Sequence, residues 1–236
     1  MSAFAAAVMR HRNLALLALL IAAQITLALA VDRHHAGRIA FDVLFACGVV
    51  AAVVVVFRTR RQRAAAFLLL APALLLALSD YLFHTLSSPR AALVYHASVA
   101  LFCAAATVAV VRDIFREHDV PLDDVVGAFV GYLILGLMWG NVYAILQILS
   151  PDAFSIDAAV RPQLEDWYLR RALFNDLSFT TMTSLGSPNV TPTAPLANTL
   201  TWMEVMAAQF YMAVIVAQIV GAKLAQSLGR ERREER

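Results

Sequence analysis

Apolar residues in this chain come in long, nearly unbroken runs. The two- or three-residue spacing of a half-buried surface is largely absent. Six runs fall at residues 13–31, 39–57, 64–83, 91–112, 122–149 and 195–225, joined by short polar segments. A helix needs ~20 mostly apolar residues to cross a bilayer, so the pattern predicts six transmembrane helices. A seventh stretch, residues 167–184, is shorter and more polar, and it reads as re-entrant. Non-helical backbone at membrane depth is tolerated only where protein or a water-filled cavity surrounds it. The expected fold class is therefore an all-α integral membrane protein.

Composition points the same way. Of 236 residues, 61% are hydrophobic and 15% charged, and mean hydropathy is +0.69. A soluble domain carries ~25% charged residues. Basic residues also set an orientation. With the N-terminus inside, Arg10, Arg12, Arg58, Arg60, Arg61, Arg63, Arg112, Arg116, Lys223, Arg230, Arg232, Arg233 and Arg236 fall on the cytoplasmic side. Arg33, Arg38, Arg90, Arg161, Arg170 and Arg171 fall outside. This bias follows the positive-inside rule and predicts a multi-pass protein of the cell's inner (plasma) membrane with both termini cytoplasmic. Residues 1–30 also resemble a signal peptide, with Arg10, Arg12, an apolar run and Ala28 and Ala30 before Val31. The run is long for that role, and cleavage or retention leaves the remaining orientation unchanged.

The richest chemistry lies in residues 179–192, Phe-Thr-Thr-Met-Thr-Ser-Leu-Gly-Ser-Pro-Asn-Val-Thr-Pro. A short helix candidate at 167–183 runs into hydroxyl residues, one glycine and a polar turn, and a long apolar segment follows. This order resembles the pore helix, selectivity filter and inner helix of the potassium-channel superfamily, especially its small bacterial six-segment members. Their usual filter run is Thr-Thr-Leu-Gly-Tyr-Gly-Asp-Ile-Thr-Pro. Thr183, Ser184, Leu185 and Gly186 follow it, and Val190, Thr191 and Pro192 resume it. Ser187, Pro188 and Asn189 stand where the family has Tyr-Gly-Asp.

A filter must offer a dehydrated cation rings of oxygen in place of its water shell, and backbone carbonyls can supply them. Turning them inward requires glycine where φ is positive. Gly186 keeps one such position. Pro188 cannot supply the other, because its ring fixes φ near −65° and drives Ser187 toward extended geometry. The expectation is an inner site for K+ or another monovalent cation at Ser184, Leu185 and Gly186, with the rings at Gly186 and Ser187 widened or lost. Ser187 also cannot brace the loop as the family's tyrosine does. Asn189 lowers the negative potential at the mouth. Glu165 and Asp166 either partly restore it or are solvated acids at a helix start.

The resemblance implies further roles. Phe174, Leu177 and Phe179 should pack the pore helix against its neighbours. Ser178, Thr180 and Thr181 should support the filter wall, with Glu204 behind it, bonded to Thr180 or Thr181. Ala208 stands where the family has its hinge glycine. Helical spacing then puts Ala208, Met212, Val216 and Val220 on one face, expected to line the cavity and its inner gate. One pore loop per chain implies a homotetramer, since cyclic symmetry is needed to close a ring.

The chain divides into a four-helix module, residues 1–118, a pore module, 119–226, and a charged cytoplasmic tail, 227–236. Residues 112–119 resemble the interfacial linker between such modules. Residues 58–63 form a basic clamp for lipid headgroups or neighbouring segments. The fourth run contains no Arg or Lys, so the first module is not a voltage sensor. Asp42, Asp80, His84 and His96 have two readings: helix–helix hydrogen bonding, or proton or ligand sensing. Cys47 and Cys103 read as small apolar fillers. Pro121, Asp123 and Asp124 open the fifth run as a helix start.

No Ser/His/Asp or metal-ligand spacing appears, so neither an enzyme nor a cofactor is expected beyond permeant cations. Partners are copies of the chain and membrane lipids; no nucleic acid and no fused ligand-binding domain are expected. Three functions remain: a cation channel with relaxed selectivity, a channel-like regulatory or structural protein with a collapsed filter, and a transporter or membrane enzyme. The last predicts paired broken helices across two repeats, which the sequence lacks.

Overall fold

The computed structural model describes residues 12–31, 35–83, 86, 88–116 and 122–234. Arg10, Arg33, His84, Pro121, Arg236 and residues 117–119 of the linker lie outside the described residues, and so do the side chains of Asp124, Lys223, Arg230, Arg232 and Arg233. Among the described residues seven α-helices follow one another: α1 (Arg12–Val31), α2 (His35–Val56), α3 (Arg60–Phe83), α4 (Pro89–Arg116), α5 (Leu122–Leu149), α6 (Trp167–Met182) and α7 (Pro195–Glu234). Four of them contain a stretch long and apolar enough to cross a membrane, at Arg60–Asp80, Pro89–Phe115, Val125–Leu149 and Pro195–Gly221. The chain is thus a mostly helical, multi-pass membrane protein. Among the described residues the apolar parts of α1 and α2 run Arg12–Ala28 and Ala40–Val56, and both of these expected spans are helical.

Helix α5 is the hub of the fold. It packs against α4, α6, α1 and α7, and one continuous apolar core joins the first four helices to the rest. Small residues permit the close crossings. A methyl group on Gly140 would lie 2.6 Å from Asn175 Oδ1 and 3.2 Å from the Asn175 Cα, so α6 can approach only because that side chain is absent. At Gly136, Phe179 and Met182 occupy the equivalent space.

The α2–α3 corner shows why the chain turns where it does. Thr59 and Gln62 exchange bonds at the start of α3: the Thr59 N–H donates to Gln62 Oε1 and the Gln62 N–H to the Thr59 hydroxyl, both 3.2 Å. This is a capping box. Arg63 reaches back to the Phe57 and Val54 carbonyls at 2.8 and 3.0 Å, satisfying the C-terminal end of α2. Arg58 pairs with Asp113 at 3.0 Å. Much of the basic clamp therefore serves the protein's own helix ends.

One element went unforeseen. Phe154–Ile156 (β1) and Val190–Pro192 (β2) pair antiparallel, with Phe154 opposite Pro192 and Ile156 opposite Val190. This ribbon ties the chain leaving α5 to the chain entering α7, and it carries α6 and its following loop between its two strands.

Candidate functional site

Helix α6 begins where the sequence supplies a cap. The Asp166 carboxylate accepts from the N–H groups of Tyr168 and Leu169 at 2.9 and 3.3 Å, filling orphan donors of the first turn. It also pairs with Arg38 at 2.6 Å. Asp166 is thus committed to the helix start and to α2, and is not a free acid at a mouth; Glu165 remains exposed. Leu169, Leu173, Phe174 and Leu177 are buried, while Asp176, Thr180 and Thr183, at i, i+4 and i+7, share an outer stripe.

The far end of α6 closes in a Schellman motif. The Ser184 N–H donates to the Thr181 carbonyl and the Leu185 N–H to the Thr180 carbonyl, each at 2.9 Å. Gly186 N–H also reaches the Thr180 carbonyl, at 3.1 Å. Ser184 takes the left-handed position, φ +61°, and Gly186 follows at +76°. A Schellman cap usually has glycine where Ser184 stands, and a side chain there costs roughly 1–2 kcal/mol. The motif's usual apolar contact from the residue after the turn is missing, since Leu185 is 80% exposed.

Three successive N–H groups are therefore turned back onto the helix end. The carbonyls of Ser184, Leu185 and Gly186 accept no hydrogen bond among the described residues. Thr183, Ser184, Leu185 and Gly186 are all exposed. The Thr180 and Thr183 hydroxyls bond to carbonyls of their own helix, and Thr181 is buried.

Beyond Gly186 the chain is anchored differently. The Ser187 hydroxyl donates to the Asp176 carboxylate at 3.3 Å, so the loop does have a brace, a polar one from α6. Asp176 was not singled out in the sequence; its place on the stripe with Thr180 and Thr183 was the available signal. Pro188 is exposed. The Asn189 carbonyl accepts from the Asp157 N–H at 2.9 Å, fixing Asn189 to the ribbon.

Behind this loop lies a buried carboxylate. Glu204 of α7 is fully buried. Its Oε1 accepts from the Ser178 hydroxyl at 2.5 Å and its Oε2 from the Tyr143 hydroxyl. Ser178 lies 2.8 Å from the Gly136 carbonyl as well. Glu204 thus joins α5, α6 and α7 through Tyr143 and Ser178, in place of the expected Thr180 or Thr181. The reason is angular: Ser178 shares the buried face of α6, whereas Thr180 lies on the outer stripe.

The inner-helix expectation divides. Ala208 is buried, 1% exposed, on the same face as Glu204, Tyr211 and Ile215, and Tyr211 donates to the Ala128 carbonyl of α5 at 2.8 Å. Ala208 is therefore covered by the chain itself and does not share a surface with the others. Met212, Val216 and Val220 are exposed, increasingly so down the helix at 39, 53 and 59%.

Among the described residues, three polar side chains singled out in the first module are hydrogen-bonded. Asp42 accepts from the Tyr168 hydroxyl at 2.7 Å, Asp80 from the Leu86 N–H at 2.6 Å, and His96 Nδ1 lies 2.8 Å from Asn141 Oδ1. Cys47 and Cys103 are free thiols. No protein-family model, curated protein or solved structure matches this chain.

Proposed function

We propose that this chain is the pore-forming subunit of a homotetrameric channel that passes monovalent cations, K+ among them, with relaxed selectivity. One observation carries the reading: the carbonyls of Ser184, Leu185 and Gly186 are left without partners at an exposed tip, because their N–H groups cap α6. Unpaired main-chain oxygens are costly away from water, and a dehydrated cation is a partner for oxygens grouped around an axis. A single chain supplies too few, so four copies meet there.

In this reading all six apolar helices cross the inner membrane, both termini are cytoplasmic and the loop faces outward. The Ser184–Gly186 oxygens form the inner rings, Asp176 replaces the missing acid of the mouth, and Glu204 holds the pore helix against the inner helix through Ser178. Selectivity is relaxed because Ser187 and Asn189 are bound to their own chain. Their engagement also favours a second reading, a channel-like regulatory subunit whose outer loop is closed.

Flux through reconstituted vesicles separates the two. The channel reading expects passage of K+, Na+ and Cs+ within about tenfold of one another, a spread of ~1.4 kcal/mol. The double variant Ser187→Tyr, Pro188→Gly should then favour K+ more strongly. Absence of flux for all three ions supports the regulatory reading. Conduction with unchanged selectivity in the double variant contradicts the role given to the outer loop.

A further inference from the structure

Arginine 171 is the least accountable charge in the molecule. It sits on α6, 3% exposed, and its guanidinium has five N–H donors. One hydrogen bond is made among the described residues, from Nη1 to the Tyr95 hydroxyl at 2.7 Å. Its Nε is buried without a partner. Rings surround it: Phe45 at 4.1 Å, Phe41 at 5.0 Å and Trp167 at 5.7 Å. Cation–π contact offsets part of the desolvation but leaves the remaining donors unmet. No carboxylate lies within 4.0 Å among the described residues; Asp42 feels its field while bonded to Tyr168.

The same side chain borders a cavity of about 40 Å³ to which α1 to α5 also contribute walls. A water needs ~10–15 Å³ by this measure, so the space holds more than one. Apart from Gln24 and Arg171 the lining is apolar, including Phe45, Gly48 and Phe102. A buried, unpaired cation facing an apolar chamber calls for an anion that carries apolar surface with it. The helices that wall the chamber also carry exposed apolar side chains, Val50 and Val54 on α2 and Phe67 and Leu68 on α3, a surface suited to the part of a chain too long for the chamber.

We propose that this cavity binds the carboxylate of a fatty-acid-like amphiphile, with the headgroup on Arg171 and the acyl chain leaving along α2 and α3. A carboxylate matches the planar donor fork, which favours paired hydrogen bonds. The site does not depend on the conduction reading, and it survives if that reading fails.

The test follows thermal unfolding of the full chain in nanodiscs of zwitterionic lipid, with oleate, acetate and chloride added in turn. Oleate at about 100 times its dissociation constant should raise the midpoint by roughly 5–10 °C, with acetate and chloride well below that. Arg171→Gln should abolish the oleate shift. Because that variant can also disturb folding, Gly48→Leu provides a second approach. Gly48 lines the chamber, and a β-carbon there meets only Leu19 and Leu20, at ordinary distance, 3.9–4.0 Å, so a leucine is expected to take up the chamber's space without replacing Arg171. It too should abolish the shift. An oleate shift retained in either variant overturns the site. No shift with any probe does so as well, and equal shifts from acetate or chloride overturn the acyl assignment.

Discussion

The apolar stretches of α3 and α7 are nearly alike in hydropathy and in how little the chain covers them, 17% and 22%. Their uncovered faces differ. Past the first turn of α3, the large exposed residues among those described are Phe67, Leu68, Leu75 and Leu78, all apolar. On α7 they run from Leu196 through Trp202, Met203, Met206, Phe210 and Met212 to Val216 and Val220, with the amide of Gln209 exposed among them. Helix α7 also packs against α6, the helix whose last turn exposes Thr183, Ser184 and Leu185. Lipid tails can satisfy the first face, but an amide and a row of bare carbonyls are poorly matched to hydrocarbon. Hydropathy thus says that both helices leave water, and only the polar interruptions say what each one meets. On the account proposed here, α3 meets acyl chains and α7 meets copies of itself.

The sharpest way to break that contrast is steric. Ala213 lies at the middle of the exposed α7 face. Ala213→Trp should convert the proposed tetramer to smaller species, whereas Leu75→Trp on α3 should leave assembly unchanged. Light scattering of the solubilised protein reads both, and equal behaviour of the two variants removes the distinction.

Next in size is the covered side of α7. Glu204→Ala strands the Tyr143 hydroxyl, leaves Ser178 only the Gly136 carbonyl and opens a cavity between three helices; an unmet buried donor alone costs ~1–3 kcal/mol. The variant should lose about 2–5 kcal/mol, measured by denaturant or thermal unfolding. A change below 1 kcal/mol would mean that the three helices do not depend on this carboxylate. Gly140→Ala should cost ~1–3 kcal/mol by overpacking, because the Asn175 backbone leaves it no room. The same unfolding experiment detects it.

The smallest effect concerns the turn itself. Ser184→Gly relieves a left-handed side chain and should stabilise by about 1 kcal/mol, while the cap bonds persist. Unaltered or lower stability would mean that the serine hydroxyl contributes more than its backbone strain removes.

The sequence disclosed the helices well because apolar runs are long and end at capping residues such as Thr59 and Asp166. The re-entrant helix was expected at 167–183 and ends at Met182. What stayed hidden depended on partners distant in sequence. The ribbon of three-residue strands is too short for alternation to register. Ser187 lacks the aromatic brace of the family's tyrosine, and only folding brings Asp176 beside it as a polar one. Ala208 was grouped with Met212, Val216 and Val220 by a four-residue step, but 3.6 residues per turn rotates that series off the covered face. Nothing in the local pattern around Arg171 marked it as buried, since its cage is drawn from α2, α4 and α6.

The central claim is that carbonyls of Ser184, Leu185 and Gly186 from four chains surround one cation path. A cryo-electron microscopy reconstruction of the assembled protein in K+ tests it most directly. The account predicts fourfold symmetry with ion density on the axis beside those three oxygens. A monomer, or an assembly whose 184–186 carbonyls face away from any shared path, would contradict it.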